Sequence, residues 1–134
     1  IKGMNNIKKN SPVYLKDYDV HVNQYLTYAQ IQQIVNSVAK IDTWSEREQN
    51  IDMLILLHAT DIGIDSLEKN EHNVLLESGL IDSVKENIRN LSSVYDAIKY
   101  NESIQRSLIQ ITRELPKYLN KVEEVMKSGV IGKK

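Results

Sequence analysis

The sequence contains no cysteine and no phenylalanine, only two prolines and five glycines among its 134 residues, and no long apolar run. Without cysteine the chain can form neither disulfides nor thiolate metal sites, and it has no thiol nucleophile. We therefore expect an intracellular or particle-bound protein. The longest apolar run, residues 53–59, is interrupted by His58 and is far shorter than the roughly 20 residues of a membrane-spanning helix. No membrane partner is expected.

The composition is that of a globular protein. Hydrophobic residues make up 41% of the chain and charged residues 26%, which excludes a disordered or low-complexity chain. A chain of this length can bury roughly two-thirds of its unfolded surface in one core. We expect a single α-helical domain over residues 13–127. Residues 1–12 are expected to be a flexible N-terminal arm, in which Ile1–Gly3 precede the first methionine as an appended remnant, and residues 128–134 a flexible tail.

Charge is distributed unevenly along the chain. Residues 1–41 carry a net charge of +3, residues 42–82 a net charge of −8, and residues 83–134 a net charge of +4. Such an asymmetry can drive association with a charged partner, or it can be an ordinary solvated surface whose fields cancel on folding. The sequence leaves both interpretations open.

A short extended segment follows the N-terminal arm. Tyr18, Val20 and Val22 alternate with polar residues, and this period of two predicts a strand or an extended arm. A lone strand must pair, and no second strand is evident in the sequence. The segment from Val13 to Gln24 would then either add to another protein chain or lie across the helices of its own domain.

Two helices are predicted after this segment, over residues 28–40 and 44–60. Thr27 with Gln30, and Thr43 with Glu46, match the capping-box pattern at their starts. The first helix carries an apolar stripe of Tyr28, Ile31, Val35 and Val38, with Ile34 beside it. The second is polar at its start and apolar all round at its end, so we expect its C-terminal half to be central to the core.

Glycines and changes of register divide the rest of the chain. A short helix over 73–78 is expected to stop at Gly79, which can adopt a left-handed cap conformation. One helix is expected over 80–100, with a bend near Ser92–Ser93 as an option. The apolar spacing then changes register, which predicts a turn or kink at residues 101–103. The fold class is therefore mainly all-α: a helical bundle of five or six helices with a short extended N-terminal arm or strand.

The last helix has the most regular pattern. Apolar residues follow in alternating steps of four and three, as in helices that pack along their length; they are Ile104, Leu108, Ile111, Leu115, Tyr118, Val122 and Val125. Pro116 lies off this stripe and should kink the helix or begin a new one. The stripe is buried either by folding back on the preceding helix as a hairpin or by another subunit.

No pattern in the sequence points to catalysis or cofactor binding. A Gly-rich phosphate loop, a nucleophile elbow and an H-E-x-x-H motif are all missing. His58 and Asp61 are one turn apart, but two ligands do not make a metal site. The carboxylates of Glu46, Glu48 and Asp52 are interpreted as a solvated helix start. We assign no catalytic, cofactor or metal residue and expect a non-enzymatic protein.

Nucleic-acid binding is a weaker alternative. Eight lysines and arginines lie between residues 83 and 127, where they could neutralise phosphates. Six acidic residues are interspersed with them. Nucleic acid is therefore not the favoured partner.

Two stretches of the sequence are informative: Tyr25-Leu26-Thr27-Tyr28-Ala29-Gln30-Ile31-Gln32 and Gln49-Asn50-Ile51-Asp52-Met53-Leu54. Both resemble small helical proteins of tailed bacteriophages and prophages of low-GC Gram-positive bacteria. The resemblance extends in style over residues 13–127 and carries no functional residue with it. It implies a phage assembly or virion-associated protein, such as a tail-assembly chaperone, head-completion protein or connector. The location would be the bacterial host cytoplasm or the virion.

Together these observations predict a protein that binds other protein chains, including copies of itself. The candidate contact residues are those of the extended segment and of the C-terminal stripe: Tyr18, Val20, Val22, Ile104, Leu108, Ile111, Leu115, Tyr118, Val122 and Val125. The alternative is a small phage regulator that binds nucleic acid or inhibits a host protein.

Overall fold

The computed structural model describes residues 11–127, which form two short strands and six helices. The elements are β1 (Val13–Leu15), β2 (Val20–Val22), α1 (Tyr28–Val38), α2 (Trp44–Ala59), α3 (Ile64–Lys69), α4 (His72–Glu77), α5 (Leu80–Glu86) and α6 (Leu91–Lys127). The predicted fold class, mainly all-α with short extended structure near the N-terminus, is confirmed. The expected tail, and all but the last two residues of the expected arm, lie outside the described residues.

The extended segment is a β-hairpin that supplies its own partner strand. β1 and β2 pair antiparallel, with Leu15 opposite Val20 and Val13 opposite Val22. The turn contains Asp19, whose φ of 52° is left-handed, a conformation that aspartate tolerates better than most residues. The expectation that no second strand exists in the chain was wrong, because the three residues of β1 are too few to show a periodic pattern.

The hairpin is joined to the end of α2. Val22 forms an isolated bridge with Thr60, the amide of Asn23 donates to the carbonyl of Ala59 at 2.6 Å, and the amide of Asp61 donates to the carbonyl of His21 at 3.2 Å. These bonds satisfy polar groups at both the strand edge and the helix end. β2 is thereby held against the core of its own chain.

Helices α1 and α2 begin where the sequence predicts. The capping box of α1 is formed: the Gln30 amide donates to Thr27 Oγ1, and the Thr27 amide donates to Gln30 Oε1. Thr43 lies at the N-cap of α2 but makes no side-chain capping bond, so the second capping box is not formed. Tyr28 was wrongly placed on the buried stripe of α1; it is 89% exposed, because it is the first residue of the helix.

Gly79 separates α4 from α5, as predicted. Its φ of 84° is left-handed, and a Cβ at this position would lie 2.9 Å from Tyr18 Oη. Tyr18 Oη donates to the carbonyl of Ser78 at 2.6 Å. The junction therefore requires glycine both for backbone conformation and for the close approach of the hairpin turn.

The helix expected over 80–100 is interrupted at residues 87–90. The Asn90 side chain bonds both backbone groups of Leu26: Oδ1 accepts from its amide at 2.9 Å, and Nδ2 donates to its carbonyl at 2.8 Å. The amide of Arg89 donates to the carbonyl of Gln24 at 2.7 Å. A bend had been expected near Ser92–Ser93. These long-range bonds instead break the helix a few residues earlier.

Helix α6 runs without interruption through residues 101–103 and through Pro116. The turn or kink predicted at 101–103 does not end the helix, because Asn, Glu and Ser lack the steric block of proline and are tolerated in a helix interior. Among residues 11–127, no helix is both long enough and apolar enough to cross a membrane.

The chain divides into two compact units after Ile98. All the buried hydrophobic side chains within the described residues belong to the first unit, from Val20 in β2 to Ile98 in α6. The C-terminal half of α2 is central to this core, with Ile55, Leu56 and Ala59 at most 1% exposed, as its apolar composition predicts.

Candidate protein-interaction surface

The apolar stripe of α6 is exposed to solvent along its whole length. The predicted contact residues Ile104, Leu108, Ile111, Leu115, Tyr118, Val122 and Val125 are 39–65% exposed. The burial expected from an intramolecular hairpin is therefore absent among the described residues. Contiguous exposed apolar surface of this kind is typical of a site that another macromolecule covers.

Two further apolar side chains, which are not among the predicted contact residues, widen this surface. Leu119 and Met126 are each 54% exposed, whereas Ile109, 51% exposed, lies on another side of the helix. Leu119 and Met126 are seven residues apart, and each follows a stripe residue directly. That spacing was the available signal, since residues seven apart lie on the same side of a helix. We call the seven stripe residues together with Leu119 and Met126 the α6 apolar face.

Basic side chains lie on another part of α6. Arg106, Arg113 and Lys117 line an open groove along the helix together with Ile109, Gln110 and Glu114. The described part of the second unit, residues 99–127, contains six basic and four acidic residues. This distribution separates a mixed-charge side of α6 from its apolar face.

The three candidate contact residues of the hairpin lie in a different environment. Val20 and Val22 are 6% and 0% exposed and belong to the hydrophobic core. Tyr18 is partly buried against that core, and its hydroxyl bonds Ser78. Their side chains therefore stabilise the first unit and are not presented to a partner. The period of two identified a strand correctly but could not show which side of it would be covered.

A buried ionic cluster joins three helices of the first unit. Asp52 of α2, only 7% exposed, pairs through Oδ2 with His72 Nε2 of α4 at 2.7 Å and through Oδ1 with Lys85 Nζ of α5. Asp52 had been assigned to a solvated helix start, which was wrong, because it shares a helix face with the buried Ile55 and Leu56. That spacing of three and four was the signal overlooked.

The environment of Lys85 favours its charged form. Burial alone would lower the pKa of Lys85, but the hydrogen bonds and electrostatic attraction of Asp52 and Tyr95 outweigh it and hold this pKa above its usual value. The ammonium also lies 5.8 Å from the ring centre of Tyr95, within the range of a cation–π interaction. His72 Nδ1 is buried with no hydrogen-bond partner among residues 11–127. Each carboxylate oxygen of Asp52 is thus paired within the cluster.

A second histidine–aspartate pair lies at the surface. His21 Nδ1 is 2.8 Å from Asp61 Oδ2, and the His21 amide donates to Asp61 Oδ1 at 2.9 Å. These hydrogen bonds lower the pKa of Asp61, and the bond from the His21 backbone amide has the larger effect. Asp61 thus pairs with His21 of the hairpin and not with His58, whose pKa is lowered by burial. No group of three metal-binding side chains occurs in the part of the chain that the structure describes.

An open cleft of about 360 Å³ lies beside the hairpin turn in the first unit. Polar groups of Tyr18, Asp19, Asp61, Ser66 and Asn70 line it together with apolar side chains. Neither His58 nor the carboxylates at the start of α2 contribute to it. The cleft therefore does not bring the sequence-derived candidates for chemistry together.

The α6 apolar face is thus an exposed apolar surface outside the hydrophobic core of the first unit. Comparisons of the chain with protein-family models, with curated proteins and with solved structures found no match.

Proposed function

We propose that this chain is a non-enzymatic protein that acts by binding other protein chains through α6. The observation that carries the proposal is the exposure of nine apolar side chains on one face of α6, whereas the buried hydrophobic residues among those described all lie in the first unit. Covering an apolar side chain is worth about 1.5–3 kcal/mol when burial is complete. Such a face has a strong driving force for association.

Binding through the apolar side of an amphipathic helix suits a role in assembly. An amphipathic helix supplies anchors at intervals of three and four residues, which give a partner both affinity and register without any chemistry. The proposed setting is the assembly pathway of a bacteriophage or prophage, in the host cytoplasm or in the virion, where the protein would act as a tail-assembly chaperone, head-completion protein or connector. The resemblance of residues 13–127 to small phage proteins supports this setting.

The test is capture of partners by the tagged chain in the organism that encodes it. The variant Leu108→Ser/Leu115→Ser/Val122→Ser removes three anchors of the α6 apolar face, and Arg106→Ser/Arg113→Ser/Lys117→Ser is the matched control on the mixed-charge side. We expect a protein that copurifies with the wild type and the control but not with the first variant. Its identity must then be established by mass spectrometry, and its binding reproduced with purified components. The proposal is overturned if the first variant loses no binding partner, whether that partner is another protein or a second copy of this chain.

A regulator that binds nucleic acid is the second candidate, favoured by the grouping of Arg106, Arg113 and Lys117 along α6. Binding through these residues would weaken steeply as salt is raised, because counterions are released from the phosphates. Retention on immobilised DNA or RNA that falls with salt, and that the basic triple variant abolishes, would favour this candidate over the first.

A further inference from the structure

We propose that the partner of the α6 apolar face is the same helix of a second copy of this chain, paired antiparallel in a register defined by Glu114 and Lys121. The inference rests on the proposed function and names the partner of the same surface. It is carried by the heptad positions of the exposed residues and by the charges that flank them.

The stripe residues occupy the two core positions of a heptad repeat. Assigning Leu108, Leu115 and Val122 to position a places Ile104, Ile111, Tyr118 and Val125 at position d. Leu119 and Met126 then fall at e, beside the seam. Pro116 falls at b, outside the seam, so its ring does not obstruct a partner helix.

One antiparallel register places an apolar residue opposite every core position from 108 to 125. In an antiparallel pair, position a of one helix faces position d of the other. Setting Leu115 opposite Tyr118 of the second copy also sets Leu108 opposite Val125 and Ile111 opposite Val122. The two-fold symmetry repeats each layer, which gives six layers, each made of two apolar side chains.

The same register pairs opposite charges. In an antiparallel pair the g positions face each other, and the g residues here are Ser107, Glu114 and Lys121. With Leu115 opposite Tyr118, Glu114 of each copy faces Lys121 of the other, so two ion pairs flank the centre of the seam. Charges at the edge of a coiled coil determine partner choice and orientation. All of these residues are exposed in the described structure.

A parallel pair lacks this complementarity. Its g residues would face e residues of the other copy, so Glu114 would lie beside Leu119 and Lys121 beside Met126. Two Tyr118 rings would also meet in one layer. The charges therefore favour the antiparallel arrangement.

The test measures self-association of the full chain by sedimentation equilibrium. We expect a concentration-dependent dimer. Glu114→Lys alone and Lys121→Glu alone each place like charges opposite one another twice, and each should raise the dimer dissociation constant about tenfold. The double variant Glu114→Lys/Lys121→Glu restores both pairs and should return the constant to within about twofold of the wild type.

Mixing the two single variants gives the sharpest result. The Glu114→Lys variant has Lys at positions 114 and 121, and the Lys121→Glu variant has Glu at both. The mixture should therefore form heterodimers more tightly than either variant forms homodimers. Salt should reduce this preference by screening. In a parallel pair the two positions do not meet, and mixing would bring no recovery.

The control variants reverse the same types of charge away from the seam. Glu124→Lys and Lys117→Glu both lie at position c, and each should leave the dissociation constant within about twofold of the wild type. The same effect from these variants, or no recovery on mixing, would overturn the register. A monomer throughout the concentration range would overturn self-pairing, while the proposed function would survive if the α6 apolar face still captured another protein.

Discussion

At the scale of single residues, the fold depends on a carboxylate that the core surrounds. Asp52→Asn removes the charge between His72 and Lys85 and leaves the Lys85 ammonium without its counter-charge. Breaking one side of a buried ion pair costs about 3–5 kcal/mol; since Lys85 retains 22% of its side-chain exposure, we expect a loss of about 2–3 kcal/mol in the free energy of unfolding. Urea denaturation measures it. The exposed Glu68→Gln is the control, expected within about 0.5 kcal/mol of the wild type. Equal effects from both substitutions would show that the pairing is not a source of stability.

A second residue-scale effect should appear in the pH dependence of stability. The pKa of Asp61 is lower in the folded chain than its usual 3.8, so its stabilising contribution is present above that pH and is lost as the pH falls through the folded-state pKa. The wild type should therefore be more stable than Asp61→Asn near neutral pH, and the two should converge in acid. The difference will be small, because the pair is about half exposed and solvent screens it. Urea unfolding at a series of pH values tests this. The same trend for Asp42→Asn, which removes a surface carboxylate with no contact to His21, would assign the effect to net charge.

At the scale of elements, Gly79 determines how α4 and α5 meet. Gly79→Ala requires a left-handed alanine, costing roughly 1–2 kcal/mol, and its Cβ would press on Tyr18 Oη. We expect a corresponding fall in the free energy of unfolding by thermal or urea denaturation. Gly63→Ala is the matched control: its added Cβ meets nothing within 4 Å and its backbone is not left-handed, so the change should stay within about 0.5 kcal/mol. The assignment would be refuted if the two alanines were equally costly.

Pro116 is the weak point within α6. It lacks an amide to bond the carbonyl of Thr112, and a proline inside a helix costs about 3 kcal/mol relative to alanine. Pro116→Ala should therefore slow amide hydrogen exchange over residues 112–120 and raise the helical circular dichroism. Lys117→Ala, at the neighbouring position, is expected to change neither. If exchange in this stretch were the same in wild type and Pro116→Ala, the proline would not limit the stability of the helix.

Element by element, local signals were sufficient where local interactions decide the structure. The capping box of Thr27 and Gln30, the glycine stop at Gly79 and the apolar end of α2 were all predicted correctly. The break at residues 87–90 was missed, since it depends on Asn90 bonding a residue 64 positions earlier. The burial of Val20 and Val22 and the pairing of Asp52 with His72 likewise depend on contacts between distant segments. The stripe of α6 was evident from its spacing, but its exposure was not.

At the scale of the whole molecule, the hydrophobic core ends well before the chain does. Ile98 is the last buried residue among those described, so a chain stopped after Ser103 should unfold cooperatively, with a free energy within about 1 kcal/mol of the full chain. It should also lose any association that the α6 apolar face provides. A chain stopped after Arg89 is the contrasting control, because it lacks Val94 and Ile98 and should unfold without cooperativity. Circular dichroism during urea titration distinguishes them, and non-cooperative unfolding of the longer chain would show that residues 104–127 belong to the folding unit.

The bond between Asn90 and Leu26 also bears on the order of events in folding. Helical turns form within about a microsecond, whereas bringing together groups 64 residues apart requires closing a long loop at an entropic cost. A nascent chain therefore lacks the interaction that ends α5, and its local periodicity favours one helix through residues 80–98. We expect the early ensemble to sample that unbroken helix and to acquire its interruption only when the segment between β2 and α1 docks.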